Sequence, residues 1–371
     1  MQVLAKERDY NVNPFIVIWE VTRACALKCL HCRAEAQYKR DPRELTFEEG
    51  KRLIDEIAML DSPLLVFTGG DPFMRPDLFD LAQYAIEEKK LPVSMTPSAT
   101  PKVTRRAIEK AKEVNLSRWA FSLDGSCAEI HDHFRGTKGS FDLTMRAIDY
   151  LKELEIPIQI NTTVSRYNLD DLPNIAQKVN ELNTVLWSVF FLVPTGRGLQ
   201  KDMISADEHE QVMKWLYQIS QTMPYGVKVT EAPHYRRVFL QESREKGKEI
   251  AIPSGKKRKD LLGRAPKGVN DGDGFVFISH IGDVYPSGFL PLVCGNVRQE
   301  PLWKIYRESP ILKQLRDKSL LKGKCGVCEF NKICGGSRSR AYAITGDYLE
   351  SDPYCAYIPV KMRNQTAQRE E

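Results

Sequence analysis

The 371-residue chain has no apolar run of the ~18 residues that a membrane-spanning helix needs. Its first residues, Met1-Gln2-Val3-Leu4-Ala5-Lys6-Glu7-Arg8, lack the apolar centre of a secretory signal. A membrane partner is therefore not expected, and the expected location is the cytoplasm. Internal repeats of the solenoid type are missing as well. So are a recognised nucleic-acid module and any aromatic platform interleaved with the basic residues, which removes nucleic acid from the expected partners. What is present is 42% hydrophobic content, enough for one large core and an appended module. Nine cysteines stand in two clusters and two single positions. In a reducing compartment such clustering favours metal binding or catalysis over disulfides.

From residue 15 to about residue 220, apolar β-like runs alternate with amphipathic helical stretches, the pattern of βα units on a parallel sheet. Six strands are predicted: Phe15 to Val21, Leu64 to Thr68, Pro92 to Thr96, Trp119 to Leu123, Pro157 to Thr163 and Leu186 to Val193. Thr46-Phe47-Glu48-Glu49 has the form of a capping box, and Leu53, Ile54, Ile57 and Ala58 then recur at helical spacing. The expected fold is α/β, a partial (β/α)6 TIM-like barrel followed by a cysteine-rich C-terminal domain. Its boundaries are an N-terminal extension over 1–14, the barrel over 15–222, a basic linker or lid over 223–274, the C-terminal domain over 275–358 and a frayed tail over 359–371. Between Tyr235 and Lys267 eleven Lys and Arg face four Asp and Glu, a local charge of +7 against +5 for the whole chain. A mobile loop attracting an acidic substrate and a solvated linker are both consistent with that segment.

The most informative feature lies just after the first strand. Cys25, Cys29 and Cys32 in Cys-Ala-Leu-Lys-Cys-Leu-His-Cys offer three thiolates where an iron-sulfur cube takes four ligands, so one iron is left open. Three reduced thiols, or part of a zinc knuckle, are the structural alternative; a structural zinc site has four protein ligands. The second predicted strand runs into Gly69-Gly70-Asp71-Pro72, where glycine permits close backbone approach to a ligand. Polar residues collect at the carboxyl ends of later strands: Thr96 and Ser98, Ser122 and Asp124, Asn161 and Thr163. The second cysteine cluster is Cys325, Cys328, Cys334 and Cys355. Four thiolates close a site completely, whether around zinc or around a cluster. Cys127 and Cys294 are expected to be free buried thiols.

Cys25, Cys29 and Cys32 match the CxxxCxxC motif of the radical S-adenosylmethionine (SAM) enzymes residue for residue, and the chain resembles that family over nearly its whole length. The resemblance implies a 4Fe-4S cluster whose open iron chelates the amino and carboxylate groups of SAM. It implies that Gly69, Gly70, Asp71 and Pro72, with Asp71 in place of the usual Glu, meet the SAM ammonium. Ser122-Leu123-Asp124-Gly125 and the residues after it are similar to the branch with a C-terminal SPASM or twitch domain, which implies that Ser98, Ser122, Arg135 and Asn161 lie near SAM. Full SPASM domains carry seven cysteines. Here Ser287 follows Tyr285-Pro286 where a cysteine is usual, so one auxiliary 4Fe-4S cluster on Cys325, Cys328, Cys334 and Cys355 is expected.

The implied chemistry is reductive cleavage of SAM to a 5′-deoxyadenosyl radical, fed by a flavodoxin or ferredoxin, followed by hydrogen abstraction from substrate. Arg338-Ser339-Arg340-Ala341-Tyr342 looks like the haem and haem d1 branch, which implies oxidative modification of an acidic tetrapyrrole side chain. Maturation of a ribosomally made peptide is the competing branch, and no leader-binding domain is visible before Phe15. A non-catalytic iron-sulfur electron carrier or a zinc-stabilised binding protein is the alternative of another class.

Overall fold

The computed structural model describes residues 8–245, 247 and 268–364. Ten strands form one sheet: β1 Ile16–Thr22, β2 Leu64–Gly69, β3 Val93–Met95, β4 Arg118–Ser122, β5 Ile158–Val164, β6 Leu186–Phe191, β7 Gly226–Thr230, β8 Phe275–Ile278, β9 Asp283–Tyr285 and β10 Gly295–Asn296. Their spatial order is β10-β9-β8-β1-β2-β3-β4-β5-β6-β7. Strands β1 to β7 are parallel neighbours in chain order, and β8 joins parallel to the other side of β1. Strands β9 and β10 complete an antiparallel meander.

The alternation of each strand decides which side chain meets the helices and which meets the lumen. In β5, Ile158, Ile160, Thr162 and Val164 are buried, whereas Gln159, Asn161 and Thr163 are partly open on the other face. Residues of β1 through β8 all border a single interior cavity of about 450 Å³, so the sheet is curled into a barrel. All six predicted strands are present within two residues at each end. A further parallel strand, β7, lies inside the stretch predicted as a linker. It is five residues long, Gly226-Val227-Lys228-Val229-Thr230, and all are half-buried, so it lacks the apolar run that marks the others. Strand β8, assigned in advance to the C-terminal domain, is built directly onto the barrel through Ile16 to Trp19.

The helices cover the outer face. Phe47–Ala58 begins with the predicted capping box: the Glu49 amide donates to Thr46 Oγ1 at 3.2 Å, and the Thr46 amide to Glu49 Oε2 at 2.7 Å. Its Leu53, Ile54 and Ile57 are buried against the sheet. The core runs without a break from Val17 and Trp19 of β1 to Leu302, Ile305, Tyr306 and Leu312 of the C-terminal helices. Tyr306 ties three parts of the chain together, donating its hydroxyl to Tyr10 O at 2.7 Å and accepting from the Gly274 amide at 3.2 Å. Of the basic stretch, helix Tyr235–Glu245 and Gly247 are described, and the remainder lies outside the described residues. Among the described residues no helix is long and apolar enough to cross a membrane. Cys127 is exposed at the start of helix Ala128–Arg135, not buried as expected, because it precedes the first turn and faces away from the sheet's core. Cys294 is half-buried, with Sγ 3.5 Å from Leu292 O.

Tyr306→Phe removes a buried hydroxyl that serves two main-chain groups, and the orphaned pair should cost about 1–3 kcal/mol. Denaturant titration of both proteins measures the loss; an unchanged midpoint would show that Tyr306 does not unite the two ends of the chain.

Candidate active site

The Cys25–Cys32 loop leaves β1 at its carboxyl end, and main-chain contacts from three other loops fix it. From the β4 side, Phe134 O accepts from the Leu30 amide at 3.1 Å, and the Phe134 ring stacks on His31 with centroids 4.2 Å apart. Gly136 ends that helix with φ +59° and lies so close to the Lys28 carbonyl that a side chain would collide with it. From the loop after β6, Gly196 has φ +62°, and a Cβ there would come within 2.5 Å of the Cys32 and Arg33 carbonyl oxygens. Arg197 next to it donates from Nε to Cys29 O at 2.9 Å and from its amide to Cys32 O at 3.0 Å. From the loop after β2, the Gly70 amide donates to Thr22 O at 2.9 Å and the Asp71 amide to Ala24 O at 2.7 Å.

Ser98 joins two of the predicted elements. Its hydroxyl lies 3.3 Å from Gly70 O and 3.7 Å from Cys25 Sγ. Asp71 is wholly buried and occupied within the protein: its carboxylate accepts from the Phe73 amide at 3.1 Å, the Ser98 amide at 3.3 Å and the Thr100 hydroxyl at 3.1 Å. Burial pushes its pKa up to about 6 against the pull of those donors. Asp71 thus stitches the 69–72 turn to the 98–100 loop, and Pro72 starts the short helix Pro72–Met74 beneath it. Ser122, at the end of β4, is in register with Asn161 in the middle of β5, and Asn161 Oδ1 accepts from Gln159 at 2.6 Å.

Arg135 is the buried cation of the site. Burial opposes its charge, but Cys29, Asp124, Cys25 and Cys32 all favour it and hold it protonated, with Asp124 Oδ2 at 3.4 Å from Nη1. Burial raises the Cys25 thiol and pushes Cys29 up to about 11. As free thiols these groups stay protonated at neutral pH, and they ionise only beside a strong positive charge. Three thiols around one buried guanidinium therefore suit an iron cluster with three protein ligands. Among the described residues no three His, Cys, Asp or Glu side chains converge on a single metal ion. All nine cysteines are unpaired.

The second cysteine group lies in the segment that follows β10. Cys334 lies within electrostatic reach of Cys355 and Cys325, and Cys328 within reach of Cys325. Burial pushes Cys334 up to about 12 and Cys355 up to about 11. Donors surround them: Arg338 Nη2 lies 3.5 Å from Cys325 Sγ, and the Gly336 amide 3.4 Å from Cys334 Sγ. Arg340 and Asp352 form a fully buried pair at 3.4 Å, and Asp352 also accepts from the amides of Ser337 and Tyr354 at 3.0 Å each. Ser287, at the position where a further cysteine was of interest, is buried with its hydroxyl 3.0 Å from that of Ser339.

The barrel cavity borders both cysteine-bearing segments: Arg33, next to Cys32, lines it, as does Asn270, whose Nδ2 donates to Cys334 O at 3.3 Å. Its wall includes the cations Arg33, Arg118, Lys228 and Arg236 and the acids Glu231 and Asp271. Both acids are tied to the C-terminal segment, Glu231 accepting from the Ser337 hydroxyl at 2.8 Å and Asp271 from the Ser339 amide at 2.9 Å. Arg118, Ser188, Lys228, Glu231 and Asp271 carry no motif in the sequence, and Arg33 enters only within His31-Cys32-Arg33-Ala34, which is similar to the SPASM/twitch branch. The single hydroxyl of Ser188 inside the apolar run Leu186 to Val193 was the one visible signal.

Residues 19–179, which hold the first cysteine loop and β1 through β5, match the model of the radical SAM superfamily. The AdoMet-dependent heme synthase of Methanosarcina barkeri is 40% identical over 348 residues, covering 94% of this chain and 98% of that protein. The chain belongs to the radical SAM superfamily. Its members bind a 4Fe-4S cluster and SAM, and the chain is an enzyme of that kind. The AdoMet-dependent heme synthase of Nitratidesulfovibrio vulgaris is 42% identical over 349 residues, covering 94% of this chain and 93% of that one. More distant relatives include the Fe-coproporphyrin III synthase of M. barkeri, 32% identical, and the PqqA peptide cyclase of Bradyrhizobium diazoefficiens, 26% identical; each covers more than nine-tenths of this chain. Streptococcus suis SuiB bound to S-adenosylmethionine has a similar fold, with TM-score 0.69 and 16% identity over 93% of this chain and 78% of that one. The radical SAM fold read from the sequence is thereby shown, and family membership sets aside the electron-carrier and zinc-module readings.

Asp124→Asn strips the buried Arg135 of its carboxylate, and breaking such a pair costs about 3–5 kcal/mol. Denaturation should show a larger loss in the apo-protein than in the iron-loaded protein, where thiolates supply the counter-charge. Equal losses in both forms would separate Arg135 from the cysteines electrostatically.

Proposed function

We propose that the chain oxidatively modifies an acidic side chain of an iron tetrapyrrole. The observation that carries this reading is the 40% identity to the M. barkeri AdoMet-dependent heme synthase along the full length of both proteins. The four cations on the cavity wall against two acids, both held by the C-terminal segment, support a carboxylate-bearing substrate. A cavity of about 450 Å³ falls within the range of small-molecule sites.

In this reading Cys25, Cys29 and Cys32 hold the catalytic cluster, with SAM on the open iron. Main-chain groups of Gly69, Gly70 and Pro72 meet its ammonium, while Asp71 fixes their loop. Ser98, Ser122 and Asn161 border SAM, and Arg135 pairs with its carboxylate as a guanidinium does well. Bound together, cluster and SAM would supply the radical chemistry for hydrogen abstraction from the substrate. The chain's own residues orient the substrate, exclude water and keep charge balanced around the buried thiolates. Cys325, Cys328, Cys334 and Cys355 would hold one auxiliary 4Fe-4S cluster, which would supply an electron acceptor for an oxidative reaction. Ser287 bonded to Ser339 supports a single auxiliary cluster in place of two. The division into barrel over 15–222, connecting segment over 223–274 and auxiliary domain over 275–358 follows these roles, although β7 and β8 share the barrel sheet. A flavodoxin or ferredoxin in the cytoplasm is the proposed electron source.

Anaerobically reconstituted protein should bind about eight irons per chain, and Cys29→Ala about four. Cys29→Ala should form no 5′-deoxyadenosine. Cys328→Ala should form 5′-deoxyadenosine but release no altered porphyrin. Turnover by Cys29→Ala, or full product from Cys328→Ala, would overturn the assignment of the two cysteine groups. Alteration of a precursor peptide with no alteration of an iron porphyrin would replace the tetrapyrrole reading with peptide maturation.

A further inference from the structure

One polar row crosses the inner wall of the barrel, and the SAM site accounts for only half of it. Ser122 pairs in register with Asn161, Asn161 with Ser188, and Ser188 with Lys228. Residues in register on parallel strands share a face and a depth, so the four side chains form a band across β4 to β7. The neighbours of Ser188 on the same face of β6 are Leu186 and Phe190, both on the cavity wall. Ser188 itself is 1% exposed, and its hydroxyl has no hydrogen-bond partner. A buried hydroxyl is nearly always paired, and one left open on a cavity wall points to a polar group supplied from the cavity. The residue beside it in register is a lysine on the same wall.

We infer that Ser188 and Lys228 form a carboxylate subsite inside the barrel, which receives the acidic side chain of the substrate and aligns it along the row toward Ser122 and Asn161. The inference rests on the tetrapyrrole reading and adds to it the place of the reacting side chain. Lys228 supplies charge and Ser188 a directed donor, and both act as positioning and specificity residues. Of the other three cations of the wall, Arg118 is in register with Ser94 near the start of β4, Arg33 pairs with Glu20 at 3.2 Å, and Arg236 donates from Nη1 to Ile333 O at 3.0 Å.

The test is titration of the anaerobic, cluster-loaded protein with iron coproporphyrin III, an iron tetrapyrrole bearing four propionates, followed by the shift of its intense absorption band without reductant or turnover. Lys228→Gln should weaken binding about tenfold or more, as expected for loss of a charge-assisted contact, and Lys228→Arg should recover most of it. Ser188→Ala should weaken binding several-fold and relax which propionate is altered in turnover. Added salt should narrow the gap between wild type and Lys228→Gln. If the wild-type protein binds the porphyrin and both variants bind it equally well with unchanged product pattern, the subsite is wrong while the tetrapyrrole reading stands. If wild-type protein fails to bind it, the tetrapyrrole reading falls and takes the subsite with it.

Discussion

A loop without regular secondary structure carries the three cysteines, and its shape is imposed by backbone contacts from parts of the chain that follow it by up to 170 residues or so. Arg197 reaches the carbonyls of Cys29 and Cys32, Phe134 receives the Leu30 amide, and the Gly70-Asp71 amides grip Thr22 and Ala24. Loops of this kind have little intrinsic preference for one conformation, and ordering them costs conformational entropy. The parallel barrel meets that cost by bringing the ends of β2, β4 and β6 to the end of β1, where each contributes a main-chain contact. Gly136 and Gly196 sit at two of these close approaches, with backbone angles that favour glycine.

The same frame sets the electrostatics. A cluster with three thiolates brings negative charge into a place that burial makes hostile to it, as the raised Cys25 and Cys29 thiols show. Arg135 stands inside that group with Asp124 behind it, so its charge and direction are fixed before any ligand arrives. The C-terminal site repeats the device with other residues: Arg338 lies beside Cys325, while Arg340 and Asp352 brace the loop that ends at Cys355. Glu231 after β7 and Asp271 before β8 bond to Ser337 and Ser339 of the C-terminal segment, and both also wall the cavity.

Much of this was legible in the sequence because it depends on local pattern. Six strands followed from apolar runs, the Thr46–Glu49 cap from a four-residue signature, and both cysteine groups from spacing. Strand β7 was not legible: with Lys228 at its centre and no fully buried residue, it looks like loop until Leu186 to Phe190 present a paired edge. The role of Asp71 was hidden for a related reason, since the Ser98 and Thr100 groups that bond it arrive from the loop after β3. The buried state of Arg338 and Arg340 contradicts the usual preference of arginine for the surface, and only the carbonyls and Asp352 around them explain it. The row from Ser122 to Lys228 exists only through strand register, which no single segment encodes.

The measurement that bears most directly on this account is an anaerobic reaction of the wild-type protein with SAM, a one-electron reductant and iron coproporphyrin III, analysed by mass spectrometry for both nucleoside and porphyrin. The account predicts 5′-deoxyadenosine in step with a porphyrin whose acidic side chain has been oxidatively altered. Formation of 5′-deoxyadenosine while the porphyrin stays intact would contradict it.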